Sequence, residues 1–178
     1  KGYFAEFGVG NGLENNTLLL IALGWSGFWI GNENLACVAK NNSKFRYSKK
    51  WLTIENIMNL TSDNMKSLKI DALDVISLDV DGNDFYFCKK LLENFFHPKV
   101  FIVEYNAKFF PPIEFVIKYN DTNNWNLDDY FGASLQSFFN LFSEYEYNLI
   151  CCNSHTGSNA FFIKKKFKDL FPEIPNDI

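Results

Sequence analysis

Short apolar runs alternate along this chain with segments of helical period. Gly2 to Phe7 predicts a first strand that runs into a glycine-rich turn. Glu14 to Leu23 predicts a helix, with Leu18, Leu19, Ile21, Ala22 and Leu23 as its apolar face and Gly24 as a left-handed cap. Phe28 to Ile30 reads as a second strand, Asn34 to Lys40 as a helix and Phe45 to Leu52 as a third strand. Thr53 is placed to N-cap the next helix. Leu73 to Val80 and Val100 to Tyr105 are nearly continuous apolar runs, the pattern of strands buried on both faces of a parallel sheet. Phe85 to Phe95 between them is helical in period.

Pro111-Pro112 breaks the chain after the fifth strand. The irregular stretch from there to Phe131 is too long for a routine connection, which marks it as a lid or substrate loop. Trp125 and Tyr130 within it could stack on a ligand or pack on the surface. Ser134 caps a last helix to about Glu144. Tyr147 to Cys152 and Ala160 to Lys164 follow as strands across a short turn, hence antiparallel. The order predicts an α/β fold, doubly wound, with a mostly parallel sheet and an antiparallel C-terminal strand. A length of 178 residues fits a single domain, and the opening directly on a strand leaves room for a segment upstream of Lys1.

Composition changes this picture little. Twenty phenylalanines predict a Phe-packed core. A net charge of -4 argues against duplex nucleic acid as a partner, because phosphate neutralisation needs a basic surface. The run Lys164-Lys165-Lys166 reads as a solvated strand exit. Thr17 to Gly31 is too short and too interrupted for a membrane span. Cys37, Cys88, Cys151 and Cys152 form no CxxC pair, so free and mostly buried thiols in a cytoplasmic setting are expected.

The chemistry concentrates at Glu6-Phe7-Gly8-Val9-Gly10-Asn11-Gly12. A glycine loop between strand and helix lets a ligand lie against bare backbone near helix-terminal N–H groups. A P-loop would need Lys-Ser/Thr after the last glycine, where Leu13 and Glu14 stand. A dinucleotide fingerprint counted from Gly8 or from Gly10 would put its third glycine at Leu13 or Asn15, and both counts fail. What remains is E-x-G-x-G-x-G, as a ligand loop or as a purely structural turn. Glu33 stands about 20 residues further on, where an acid would bind ribose hydroxyls.

This loop resembles motif I of the class I S-adenosylmethionine-dependent methyltransferases. Further segments resemble their FkbM-type branch: Glu14-Asn15-Asn16-Thr17, Ser77-Leu78-Asp79-Val80-Asp81-Gly82-Asn83-Asp84, Val103-Glu104-Tyr105-Asn106 and Tyr130-Phe131-Gly132-Ala133-Ser134-Leu135. Asn153, Gly157 and Asn159-Ala160-Phe161-Phe162 resemble that branch's closing hairpin. The resemblance implies a Rossmann-like methyltransferase fold with S-adenosyl-L-methionine as cofactor. It implies that Glu6, Gly8, Gly10 and Gly12 approach the methionine part, and that Asn16 and Thr17 meet its carboxylate. Glu33 would then meet the ribose, Thr53 or its neighbours the adenine edge, and Asp79 the amine.

Asp79, Asp81, Asp84 and Glu104 gather at the ends of two strands expected to be neighbours. A calcium loop fails, since its sixth and twelfth positions are Asp84 and Lys90. Three readings stay open. Asp81 or Glu104 could act as the base that deprotonates a methyl acceptor, with His155 as an outside candidate. A divalent cation could relieve the repulsion, a less favoured reading under which no residue is assigned as a metal ligand. The acids could also only cap helices and bind cofactor. His97 falls at the opposite end of the sheet and reads as structural. The expected activity is O-methylation of a small sugar or glycan-type acceptor, with N-methylation of a small amine or a non-catalytic nucleotide-binding module as the alternatives.

Overall fold

The computed structural model describes residues 1–36, 41–123, 125–153 and 158–171. Strands β1 (Tyr3–Phe7), β2 (Ser26–Gly31), β3 (Phe45–Lys49), β4 (Val75–Leu78) and β5 (Val100–Glu104) pair in parallel. β7 (Asn159–Lys164) runs antiparallel to both β5 and β6 (Tyr147–Cys152). One seven-stranded sheet results, in the order β3-β2-β1-β4-β5-β7-β6. The expected α/β architecture, with a mostly parallel sheet and a reversed last strand, is what forms.

Side chains alternate across each strand, so each face of the sheet builds its own core. Ala5, Phe7, Phe28, Ile30, Ile76 and Leu78 join a large cluster with α2 (Ile57–Leu68), α3 (Asp84–Glu93) and α4 (Leu135–Glu144). Phe4, Trp29 and Phe45 form a smaller cluster on the other face, against Leu20 and Ile21 of α1 (Leu18–Ala22). The expected phenylalanine core is present. Phe142 and Phe162 stack with centroids 4.3 Å apart, and Phe138 continues the stack.

Several boundaries differ from the expected ones. α1 starts four residues late, because the chain from Gly8 to Thr17 is tied down by groups outside the helix. With five residues it can turn only one flank to the sheet, so Leu20 and Ile21 pack while Leu18, Leu19 (68% exposed) and Leu23 face outward. Gly24 does end it, at φ +76. Residues 34–36 are not helical, and the rest of the helix expected up to Lys40 lies outside the described residues. Thr53 exchanges hydrogen bonds with Asn56, and the N-cap of α2 is Asn56 itself. Among the described cysteines, all free, Cys88 is buried, Cys151 exposed and Cys152 half-buried; the mostly buried thiols expected hold for Cys88 alone.

The order of strands reverses between β1 and β4. Crossovers leave β1 toward β2 and β3 on one side, and β4 toward β5 on the other. Their carboxyl ends therefore splay apart at one edge, which is where a crevice forms in open α/β sheets. The long segment after β5 covers that edge. Its two ends pair where Ile117 N–H donates to Gly132 O at 3.1 Å and Ser134 N–H to Phe115 O at 2.8 Å.

Ser134 is fully buried and serves two elements at once. Its hydroxyl accepts from Ser137 N–H, capping α4, and from Phe115 N–H in the covering segment, at 3.1 Å. Ser134→Ala removes both bonds and is expected to cost about 1–2 kcal/mol. Urea unfolding at neutral pH checks this, and an unchanged midpoint would contradict it.

Candidate functional site

Glu6 organises the turn after β1. Its side chain is 2% exposed and accepts from Asn16 N–H at 2.7 Å, Thr17 N–H at 3.1 Å and the Thr17 hydroxyl. Thr17 Oγ1 in turn accepts from Trp29 Nε1 at 2.8 Å, and Asn16 Nδ2 donates to Ser77 Oγ at 3.0 Å. Strand register places Trp29 and Ser77 beside Glu6 on β2 and β4. One carboxylate thus ties the turn to three strands. Burial pushes the Glu6 carboxyl up, and the donated hydrogen bonds pull it part of the way back.

The glycines of this loop have different jobs. A side chain at Gly8 would meet the Asp79 carbonyl oxygen at 1.5 Å, so glycine is needed for β1 and β4 to meet. Gly12 sits at φ +81 and closes a turn by donating to Val9 O at 2.8 Å. Gly10 sits at φ +50 with nothing within 4 Å of a Cβ built on it. The open space over Gly10 belongs to a cavity of about 190 Å³.

That cavity runs along the carboxyl edge of the sheet. At one end lie Gly31 at the end of β2 and Asn32 and Glu33 beyond it, with Lys50, Trp51 and Leu52 after β3. Gly8 and Gly10 form its middle. At the other end lie Asp79, Val80, Asp81, Asn83 and Phe87, covered by Asn123 and Trp125. Of the residues expected to bind cofactor, Gly8, Gly10, Glu33 and Asp79 line it. Glu6, Gly12, Asn16 and Thr17 do not line it but brace the loop by hydrogen bonds, and Thr53 gives way to Trp51 and Leu52. His155 lies outside the described residues. His97 sits at the far end of the sheet, bonded to Leu92 O at 3.0 Å.

The acids divide by position. Leu78 pairs with Val103, so Asp79 and Glu104 follow side by side. Asp79, Asp81 and Glu104 each bring one oxygen within 4.8 Å of the others, a grouping that a divalent cation or a shared proton would relieve. Asp84 is fully buried and faces the backbone instead, accepting from Val80 N–H at 2.8 Å and Gly82 N–H at 2.9 Å. It thereby holds the turn in which Asp81 adopts φ +56, a conformation Asp tolerates better than most residues.

Burial, then the charges of Asp79, Asp84 and Asp81, push the Glu104 carboxyl up to about 10. Its Oε2 is sealed from solvent and meets no hydrogen-bond partner among the described residues, so a charge there would go unsolvated, and the retained proton sits on the other oxygen, which faces Asp79. Burial and then the charge of Asp81 raise Asp79 to about 6, while a hydrogen bond with Glu104 pulls it down. Glu104, expected as a base, therefore keeps its proton at neutral pH and suits a donor to Asp79. Burial raises Asp81 too, but it stays open to the cavity.

Comparison with protein-family models finds no match to this chain, and comparison with curated proteins finds no significant match. No helix among the described residues is long and apolar enough to cross a membrane.

The raised carboxyls make stability fall with pH. In the unfolded chain Glu104 loses its proton in the ordinary carboxylate range, whereas in the folded chain it keeps it to about 10. Its contribution is complete only below the ordinary carboxylate range and drains away as pH rises from there toward that value. The melting temperature should be higher near pH 6 than near pH 9. Glu104→Gln, a neutral group of the same shape, should flatten that slope and raise the melting temperature at pH 8. A wild-type slope of the opposite sign would refute the proton assignment.

Proposed function

We propose that this protein is an S-adenosylmethionine-dependent methyltransferase, of Rossmann-like methyltransferase fold, acting in the cytoplasm on a small hydroxylated acceptor such as a sugar. One observation carries the reading. The open backbone over Gly10 lies between a ribose-type acid, Glu33, and the acids that end β4, along one continuous cavity. The reversed β7 strand and the motif order from Glu6 to Asn159 support it, since both belong to the resemblance.

In this reading Asn32, Glu33, Trp51 and Leu52 would hold the adenosine, and Gly10 and Asp79 would hold the amino-acid part. Asp79 would face the cofactor's positive charge, and Asn123 and Trp125 would cover the acceptor. Transfer is an in-line displacement. When bound, S-adenosylmethionine would supply an electrophilic methyl group to the acceptor oxygen and would depart as a neutral thioether. The hydroxyl proton passes to the Asp81 carboxylate. Glu104 hydrogen-bonds Asp79 and fixes its orientation. Most of the acceleration comes from alignment, with the base adding about a hundredfold.

Isothermal titration tests the cofactor. S-adenosylhomocysteine should bind and NAD should not; NAD binding without S-adenosylhomocysteine would end the reading. Gly10→Val should lower S-adenosylhomocysteine affinity by at least about tenfold, because the side chain fills ligand space. Gly8→Ala should instead prevent stable folding, because it meets the Asp79 backbone. Asp81→Asn should cut turnover by about a hundredfold with cofactor affinity nearly unchanged. Equal loss of both would make Asp81 a cofactor ligand.

A further inference from the structure

The covering segment gives this cavity a wall that the sheet does not supply. We propose that Trp125 and Asn123 form the acceptor-recognition wall and select a polar small molecule that carries no anionic group. This rests on the methyltransferase reading and specifies its substrate class.

Three ties hold the wall in place over the sheet edge. Asn83 Nδ2 donates to Asn120 O at 2.8 Å, and Trp51 Nε1 donates to Asp121 O at 2.6 Å. Asn123 Nδ2 reaches Asp81 O at 3.4 Å, and its amide lies where a side chain on Gly82 would have to go, 2.0 Å from a Cβ built there. Trp125 Nε1 donates to Asp128 O at 2.8 Å, which uses the indole N–H and fixes the ring. The ring packs edge-on to Phe131, whose carbonyl is held by the buried Asn106 Nδ2 at 3.0 Å. Trp125 is nonetheless 47% exposed and lines the cavity. An indole held by its N–H with surface left open offers a platform for the C–H face of a sugar ring or for a cation.

Charge decides which ligands can use that platform. Among the described residues lining the cavity the single cation is Lys50, which follows edge strand β3 at the opposite end. Beneath Trp125 stand Asp79 and Asp81, with Asn83 and Asn123 as neutral hydrogen-bonding groups. A hydroxyl or amine can donate to the carboxylates and accept from the amides. A carboxylate or phosphate would be brought among like charges with no compensating cation among the described residues at that end, at a cost paired groups do not pay.

The test uses wild-type protein saturated with S-adenosylhomocysteine. Ligand-observed NMR is run with three size-matched sets: methyl glycosides, amino sugars, and uronic acids with sugar phosphates. Binding is expected in the first two sets and at least about tenfold weaker in the third. Trp125→Ala should weaken the first two by about tenfold, with S-adenosylhomocysteine affinity changed far less. Preference for the anionic set, binding by none of the three, or indifference to Trp125→Ala overturns this inference while leaving the methyltransferase reading standing. Failure of S-adenosylhomocysteine itself to bind removes that reading and this inference with it.

Discussion

A carbonyl oxygen at the end of β4 occupies the space that a side chain on residue 8 would need. This approach of Asp79 to Gly8 decides the architecture of the edge, because it brings the bare turn after β1 against the acids after β4. Any residue with a Cβ would push the two strands apart where they must pair. Glu6 completes the arrangement from behind, turning three donors of the loop inward so that Gly10 is left facing open space. The shape of the cavity thus follows from backbone packing and one buried carboxylate.

The acids beside that turn share a low-dielectric environment but do different work. Asp84 spends both oxygens on backbone N–H groups and sets the turn that carries Asp81. Glu104 gives up its charge, since burial and three neighbouring carboxylates all disfavour ionisation. Asp79 then keeps its own charge more easily, and Asp81 stays accessible. A cluster that looks uniformly acidic in sequence becomes one proton donor, one structural anchor and two groups able to meet a cation or a hydroxyl.

Much of this was legible in the chain and some was not. β4, β5 and the closing hairpin announced themselves as apolar runs, because strands buried on both faces carry no alternation to obscure them. The glycine turn was legible as a bare-backbone turn after β1, but the separate duties of Gly8, Gly10 and Gly12 depend on what lies across from each. The start of α1 was misplaced because its preceding N–H groups are satisfied by Glu6, ten residues upstream, and no local pattern reveals that. Thr53 looked like a helix cap because its local chemistry is capping chemistry, directed at a turn before Asn56. Lys50, Trp51 and Asn123 reach the cavity through tertiary contacts. The irregular stretch after Pro112 could be marked as a cover only by its length.

A crystal structure of the protein with S-adenosylhomocysteine tests the central claim most directly. The ligand should lie across the bare backbone at Gly10, with its ribose beside Glu33 and its sulfur turned toward Asp79 and Asp81. Density in another cavity, or a ligand whose sulfur points away from those carboxylates, would contradict the account.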